Sequence, residues 1–406
     1  MSERTYDVLI VGGGIVGLAT ALALTESHPR LRLAVAEKEP QLGAHQTGHN
    51  SGVIHSGIYY RPGSFKARLS VDGARRMVQF CAEHGIRVDR CGKVIVATRP
   101  EEVPRLEDLY ARGTANGVPG LERIGPERLR ELEPMAAGLR AIHSPGTSIV
   151  DFGEVARTTA ALIRERGVEF ALGMKVTRAR RADGGLRVET NHDELRARYL
   201  INCAGLYADV VARQTGVVPD VRIIPFRGEY YLLRPERRSL VRGLIYPVPD
   251  PQFPFLGVHF TRTVRGDVEA GPNAVLAFAR EGYTMRRVRP GELLGTLTYP
   301  GFWRMARRHW RTGAYEFWRS LSRRAFLSSM QRLVPSLRLE DLASGGAGVR
   351  AQAVARDGAL VDDFRILEAP NAIHVLNAPS PAATASLSIG RYIAERAAHT
   401  FDLRSD

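Results

Sequence analysis

YDVLIVGGGIVGLATALA, residues 6–23, decides the fold. Its apolar opening (Val8, Leu9, Ile10, Val11) passes through Gly12, Gly13, Gly14, Ile15, Val16 and Gly17 into an Ala/Leu-rich segment with helical spacing. The order is strand, tight turn, helix. In such a turn Gly12 permits a backbone shape that other residues resist, Gly14 lets a pyrophosphate approach the main chain, and Gly17 lets helix and strand pack closely. The N–H groups and the positive dipole end of the helix then face the phosphates. A second apolar strand over 31–36 ends at Glu37, where a carboxylate accepts hydrogen bonds from an adenosine ribose and repels a 2′-phosphate. Glycine-rich turns also occur for structural reasons alone. Here strand, turn, helix, second strand and terminal acid arrive together, which predicts a bound dinucleotide and disfavours NADP.

Composition sets the outer bounds. A chain of 406 residues suggests two or three domains with material for a sizeable core. An apolar fraction of 44% and a charged fraction of 25% are ordinary for a globular protein and exclude disorder. The net charge of +14 is less ordinary; it fits an anionic substrate, anionic lipid, nucleic acid or a merely solvated surface. No RNA or DNA module is visible, so no nucleic-acid partner is expected. Cys81, Cys91 and Cys203 form no CxxC and no metal-like cluster, which points to a reducing compartment and no metal. The first strand begins by about residue 6, leaving no room for a signal peptide, and no apolar run approaches the ~18 residues of a membrane span. The expectation is a cytoplasmic protein, in reach of the cytoplasmic face of the inner membrane as a peripheral one.

Further along, residues 43–57 are crowded with Gly, His, Ser, Thr and Asn and show no period, then 64–83 turn helical. A polar loop of that length inside a compact fold is uncommon without a task. A strand is predicted at 93–98, helices at 101–116, 126–132 and 151–166, and a hairpin within 168–190 around Asp183, Gly184 and Gly185. Residues 199–209, YLINCAGLYAD, repeat the strand-then-glycine form, and 221–278 read as short β-rich runs. Residues 301–333 hold all three tryptophans, Trp303, Trp310 and Trp318, interleaved with Arg304, Arg307, Arg308, Arg311, Arg319, Arg323 and Arg324. After a strand at 373–377, Ser380 and Pro381 suit the N-cap and first position of a final helix.

Nucleotide-binding signs at the start, middle and end of the chain imply a discontinuous cofactor domain with a sheet domain inserted, a layout that suits a flavin better than a nicotinamide. The fold class is α/β and α+β: a Rossmann-like domain from 1–88, 148–220 and 340–406, and a mainly antiparallel β-sheet substrate domain from 89–147 and 221–339 that includes the basic Trp-rich helical segment 301–335.

The motifs VGGGIVGL with Glu37, HQTGHNSGVIHSGIYY, NCAGLYAD, PFRGEYY, GPNAVLAF, GVRAQA and NAPSPAATASLSIG together resemble the FAD-dependent L-2-hydroxyglutarate dehydrogenases, also called oxidases, of the D-amino-acid oxidase and glycine oxidase superfamily. The resemblance covers almost the whole chain. It implies FAD, oxidation of a 2-hydroxydicarboxylate to 2-oxoglutarate, and electron delivery to a membrane quinone, another acceptor or oxygen. An amine-oxidising flavoenzyme of glycine or sarcosine oxidase type is the alternative; a non-enzymatic flavin- or nucleic-acid-binding protein is a more distant one. The oligomeric state is left open.

Oxidising a 2-hydroxy acid needs hydride transfer from Cα, a base for the hydroxyl proton and cations for the carboxylates. His259 is the preferred base because it lies in the inserted sheet, with His55 as second candidate. Arg350 stands where the superfamily usually puts its substrate-binding arginine, and its planar fork suits a carboxylate. Arg61, Lys66 and Arg227 are open candidates for a second carboxylate; Tyr59, Tyr60 and Tyr246 would orient substrate or cap the pocket. The expected cofactor contacts are Gly12, Gly14, Ile15, Val16, Gly17, Glu37 and Lys38 at the first turn; His45, Thr47, His49, Asn50 and Ser51 in the polar loop; and Val176, Ala204, Gly205, Gly348, Pro381, Ala382, Ala383 and Thr384. FAD is expected to be non-covalent, a histidyl link through His45 or His49 being the alternative. The final helix would point its dipole at the flavin pyrimidine, with N–H groups of 382–384 adding hydrogen bonds.

Overall fold

A computed structural model describes residues 5–182, 184–250 and 256–403; Asp183 of the expected hairpin turn and Phe255 at the head of the FLGVHFTRT run lie outside them. Thr5–Val11 is a central strand of an eight-stranded sheet, flanked in parallel by Leu33–Glu37 and Glu194–Asn202. Glu169–Leu172 extends one side; Ala372–Asn377 and Arg365–Ala369 extend the other, beside the hairpin Val176–Ala182 with Gly185–Thr190. Alternate residues of the first strand enter opposite layers: Val8 and Ile10 join one buried cluster, Leu9 and Val11 another. That two-faced burial is why the strand is apolar throughout, and each such side chain contributes roughly 1.5–3 kcal/mol.

On one face lie the helices Ile15–Ser27, Phe65–Glu83, Phe152–Glu165 and Ser386–Thr400. Their starts follow local chemistry: Ser64 accepts from the Ala67 N–H, and Asp151 from the N–H groups of Gly153 and Glu154. The final helix begins at Ser386, five or so residues later than the Ser380-Pro381 signal suggests. Residues 379–385 instead fold into a turn in which the Ala382 N–H donates to Pro379 O and the Ala385 N–H to Pro381 O.

A second, nine-stranded sheet is mainly antiparallel, with one parallel pairing between Lys93–Ala97 and Leu244–Pro247. Its longest pairing joins Val221–Leu233 to Leu342–Ala355, so this last strand, expected with the cofactor-binding part, belongs to the other sheet. A small third sheet links Val53–Ile54, Val88–Asp89 and Ser148–Val150. The Trp/Arg segment forms two helices, Pro300–Leu321 and Arg323–Gln331, the first bent at His309. Phe302 and Met305 anchor its inner face, while Trp303, Trp310 and Trp318 are 57%, 62% and 55% exposed. Among the described residues, no helix is long and apolar enough to cross a membrane.

Candidate active site

Where the carboxyl ends of the first sheet meet Val221–Leu233 and Leu342–Ala355, a cavity of about 590 Å³ opens. The glycine turn forms one end. Gly12 has φ +112° and a Cβ there would collide with the Cys203 carbonyl; a Cβ on Gly17 would collide with Gly12 O, so Gly17 closes the helix onto the strand without lining the cavity. Gly14, Ile15 and Val16 do line it. The Ile15 N–H donates to Thr47 Oγ1 at 3.0 Å, so the polar loop caps the helix whose first turn faces the cavity. Glu37 is buried, its carboxylate accepting from the N–H groups of Gly13 (2.7 Å) and Glu39 (3.0 Å). A carboxylate has lone pairs left for two ribose hydroxyls after those bonds.

The polar loop runs along the wall. Asn50 holds it in shape by donating to Gln46 O and Thr47 O and accepting from the Gly52 N–H; the His49 ring packs at a tilt against Tyr283 with centroids 4.4 Å apart. Glu39, His45 and Glu281 bring ligand atoms within 4.8 Å of one another, as a metal site would. That place already has a cation: the Lys38 ammonium pairs with both carboxylates and lies 2.7 Å from His45 Nε2. Those two neighbours hold Glu39 down at about 2. Val176, Ala204, Gly205 and Gly348 complete this region, with the turn from Pro381 through Ala382 and Ala383 to Thr384. Thr384 Oγ1 donates to Val53 O and accepts from the His55 N–H, pinning the histidine's backbone.

At the far end His55, Lys66, Tyr230 and Arg350 line the wall. His55 Nδ1 is buried and, among the described residues, has no hydrogen-bond partner. Burial first, then the charges of Lys93, His259, Lys66 and Arg350, bring His55 down to about 3, so its imidazole is neutral at ordinary pH. His259, the base preferred from sequence, is not among the lining residues. Its Nδ1 lies 2.8 Å from Gly257 O and its ring packs on Tyr246, centroids 4.0 Å apart; burial brings it too to about 3.

The other cations divide. Lys66 reaches the wall while bonded to Asp362 O and Oδ1. Arg61 is exposed and off the cavity. Arg227 is buried but its Nε and Nη2 bind Glu229, and it does not reach the cavity. Tyr60 and Tyr246 also stand off it, Tyr60 with the Lys66 ammonium 5.1 Å from its ring. Two residues escaped the sequence reading. Tyr230 lines the wall; Lys93, at the head of the apolar run KVIVA, is buried between the rings of Tyr59 and Tyr246. A lysine opening an otherwise apolar strand was the signal for the second.

A long cavity with a glycine-turn helix start and a buried acid at one end, and a neutral histidine beside an arginine at the other, has the layout of a dinucleotide-dependent oxidoreductase. A family profile described as FAD dependent oxidoreductase matches residues 7–396. The chain is 51% identical over 98% of its length to all of an L-2-hydroxyglutarate dehydrogenase from Indibacter alkaliphilus. It is 45% identical over 99% of its length to the human mitochondrial L-2-hydroxyglutarate dehydrogenase, covering 90% of that protein. The FAD-bound L-alpha-glycerophosphate oxidase of Mycoplasma pneumoniae has the same fold: TM-score 0.80 at 23% identity, covering 99% of this chain and 96% of that one. The chain belongs to the FAD dependent oxidoreductase family, within its L-2-hydroxyglutarate dehydrogenase branch, and FAD is its cofactor.

Proposed function

We propose that the protein oxidises L-2-hydroxyglutarate to 2-oxoglutarate. What carries this reading is one cavity that joins the dinucleotide turn to His55 and Arg350, in a chain so similar to L-2-hydroxyglutarate dehydrogenases over its full length. FAD bound there supplies the two-electron acceptor, taking the Cα hydride at N5. Arg350 binds the carboxylate next to the reacting carbon with its bidentate fork, which fixes the Cα–H direction. His55 accepts the hydroxyl proton at its unpartnered Nδ1. Its low basicity in the empty site rises when a dianionic substrate joins the surrounding cations, because nearby negative charge favours the imidazolium. His259, tied to Gly257 O, backs that wall.

FAD is held without a covalent bond, a reading supported by both His45 nitrogens being engaged, with Tyr283 Oη at 3.2 Å and Glu39 at 2.9 Å. Electrons leave to a membrane quinone, the protein resting on the cytoplasmic face of the inner membrane through its exposed tryptophans. The test is anaerobic titration of the purified yellow protein with L- and D-2-hydroxy acids, glycine and sarcosine, followed by a quinone analogue or oxygen. L-2-hydroxyglutarate is expected to bleach the flavin and the quinone analogue to restore it; bleaching by glycine or sarcosine instead would move the protein to the amine oxidases.

A further inference from the structure

Among the cations around the far end of the cavity, Lys93 differs in kind. Its side chain is 2% exposed, yet among the described residues its ammonium makes no hydrogen bond and no ion pair; its neighbours are the faces of Tyr59 at 4.7 Å and Tyr246 at 5.2 Å. Lys66 has Asp362, and Arg227 has Glu229. Two aromatic faces replace only part of the hydration an ammonium loses on burial. A second polar group beside it is in the same condition: the Tyr59 hydroxyl is buried and, among the described residues, has no hydrogen-bond partner. The same is true of His55 Nδ1 on the adjoining wall. Among the described residues a buried cation, a buried hydroxyl and a buried imidazole nitrogen are unpaired, His55 on the cavity wall and Lys93 and Tyr59 behind it; together they are a complement for an anion that brings acceptor oxygens.

We propose that Lys93, with the Tyr59 hydroxyl, receives the second carboxylate of a dicarboxylate substrate and so sets the preference for a diacid over a monoacid. This rests on the 2-hydroxydicarboxylate reading above. Arg350 takes one carboxylate, Lys93 the other, and the reacting carbon is held beside His55 from both ends.

The groups facing Lys93 are Tyr59 and His55 from the polar loop and its continuation, Tyr246 and His259 from adjacent strands, and Ser144 paired with it across Arg140–Ser144. Lys66 and Arg350 line the cavity wall, and His143 shares the strand of Ser144 and bonds Glu122 on the next one. No carboxylate stands among the first set. Burial brings the Lys93 ammonium down to about 7. Above that pH the empty site has lost its charge, and a dianion must bring back a proton to bind. The wild-type KM for the diacid therefore rises by about tenfold per pH unit above neutrality.

The experiment compares wild type with Lys93→Met, in holoenzyme of equal flavin content, using kcat/KM for L-2-hydroxyglutarate and for L-2-hydroxybutyrate. Methionine keeps the length and apolar bulk of the stem and removes a desolvated charge, so the fold is expected to stand. The ratio of diacid to monoacid kcat/KM should fall on the order of 100-fold, chiefly through KM, and the alkaline rise in KM should vanish. A merely structural lysine would lower both substrates together and leave the ratio intact, which would overturn the proposal. If wild type bleaches with L-2-hydroxyglutarate but Lys93→Met keeps its preference, this inference alone fails; if wild type does not bleach with it, the parent reading fails and takes this one with it.

Discussion

His55 and His259 carry the same imidazole, and their surroundings assign them different work. His55 is on the cavity wall with a nitrogen to spare; His259 has one nitrogen committed to Gly257 O and a ring committed to Tyr246. Changing His55 to Ala should lower kcat by 10²–10⁴-fold, the usual contribution of a positioned base, with flavin content unchanged. His259→Ala should cost roughly tenfold or less on the same scale. Equal losses for the two, measured by stopped-flow flavin reduction, would return the base role to open competition. Both imidazoles are held well below the ordinary histidine range, so the proton-accepting form persists as the medium is acidified. In the pH profile of kcat/KM, the acid limb should lie below about pH 5 rather than near the ~6.5 of a free histidine. At this scale the placement of a residue was legible where a local pattern fixes it: Glu37 at the end of the second strand, Arg350 on the cavity wall, the glycines in the turn. It was not legible where the neighbours decide. Nothing in GVHFTR says that the ring lies behind a wall, and nothing in PFRGEYY says that Arg227 is spent on Glu229 two positions on.

Elements were readable where their signals are local. Period, Ser64 and Asp151 announce helices that start where those side chains accept backbone N–H groups. The Ser380-Pro381 signal misled because the chain satisfies N–H groups there within a turn, from which Thr384 Oγ1 accepts the His55 N–H. The Trp/Arg segment misled in part for another reason: charge type does not reveal which side of a helix faces in. Arg319 points inward, its Nη2 2.6 Å from both oxygens of Glu316, whose Oε2 also accepts from the Ala274 N–H. Both residues are buried. Arg319→Met therefore strands a buried carboxylate and should destabilise the protein by about 3 kcal/mol, read as a lowered midpoint in thermal unfolding. Adding Glu316→Gln removes the stranded charge while keeping an acceptor for Ala274, and should recover much of the loss. A single variant as stable as wild type would show that the pair does not fasten this helix to the sheet.

Over the whole molecule, two sheets assembled from non-contiguous stretches enclose one cavity. The discontinuity was legible because returns to the first sheet carry marks of their own: Gly205 after Glu194–Asn202, and Ser380 with Pro381 after Ala372–Asn377. The membership of Leu342–Ala355 was not, since a strand's own alternation does not name its partner; its pairing along Val221–Leu233 brings Arg350 and Gly348 to the cavity from the second sheet. The same scale governs the surface. Trp303, Trp310 and Trp318 face outward with Arg307, Arg308 and Arg311, and Leu294, Leu297 and Leu321 are exposed nearby in sequence. Amphipathic aromatic rings with basic neighbours suit the headgroup region of an anionic bilayer, and the net charge of +14 adds a long-range attraction that does not depend on these helices. The two contributions separate experimentally. In flotation with anionic liposomes the intact protein should rise with the lipid, and Trp303→Ala with Trp310→Ala should rise less and be released at a lower ionic strength than wild type. Near 1 M salt, where screening acts over about 3 Å, binding that rests on charge alone disappears while ring insertion keeps a remainder. An intact protein that remains at the bottom of the gradient at low salt ends the membrane reading, and would direct the search for its electron acceptor to the soluble phase.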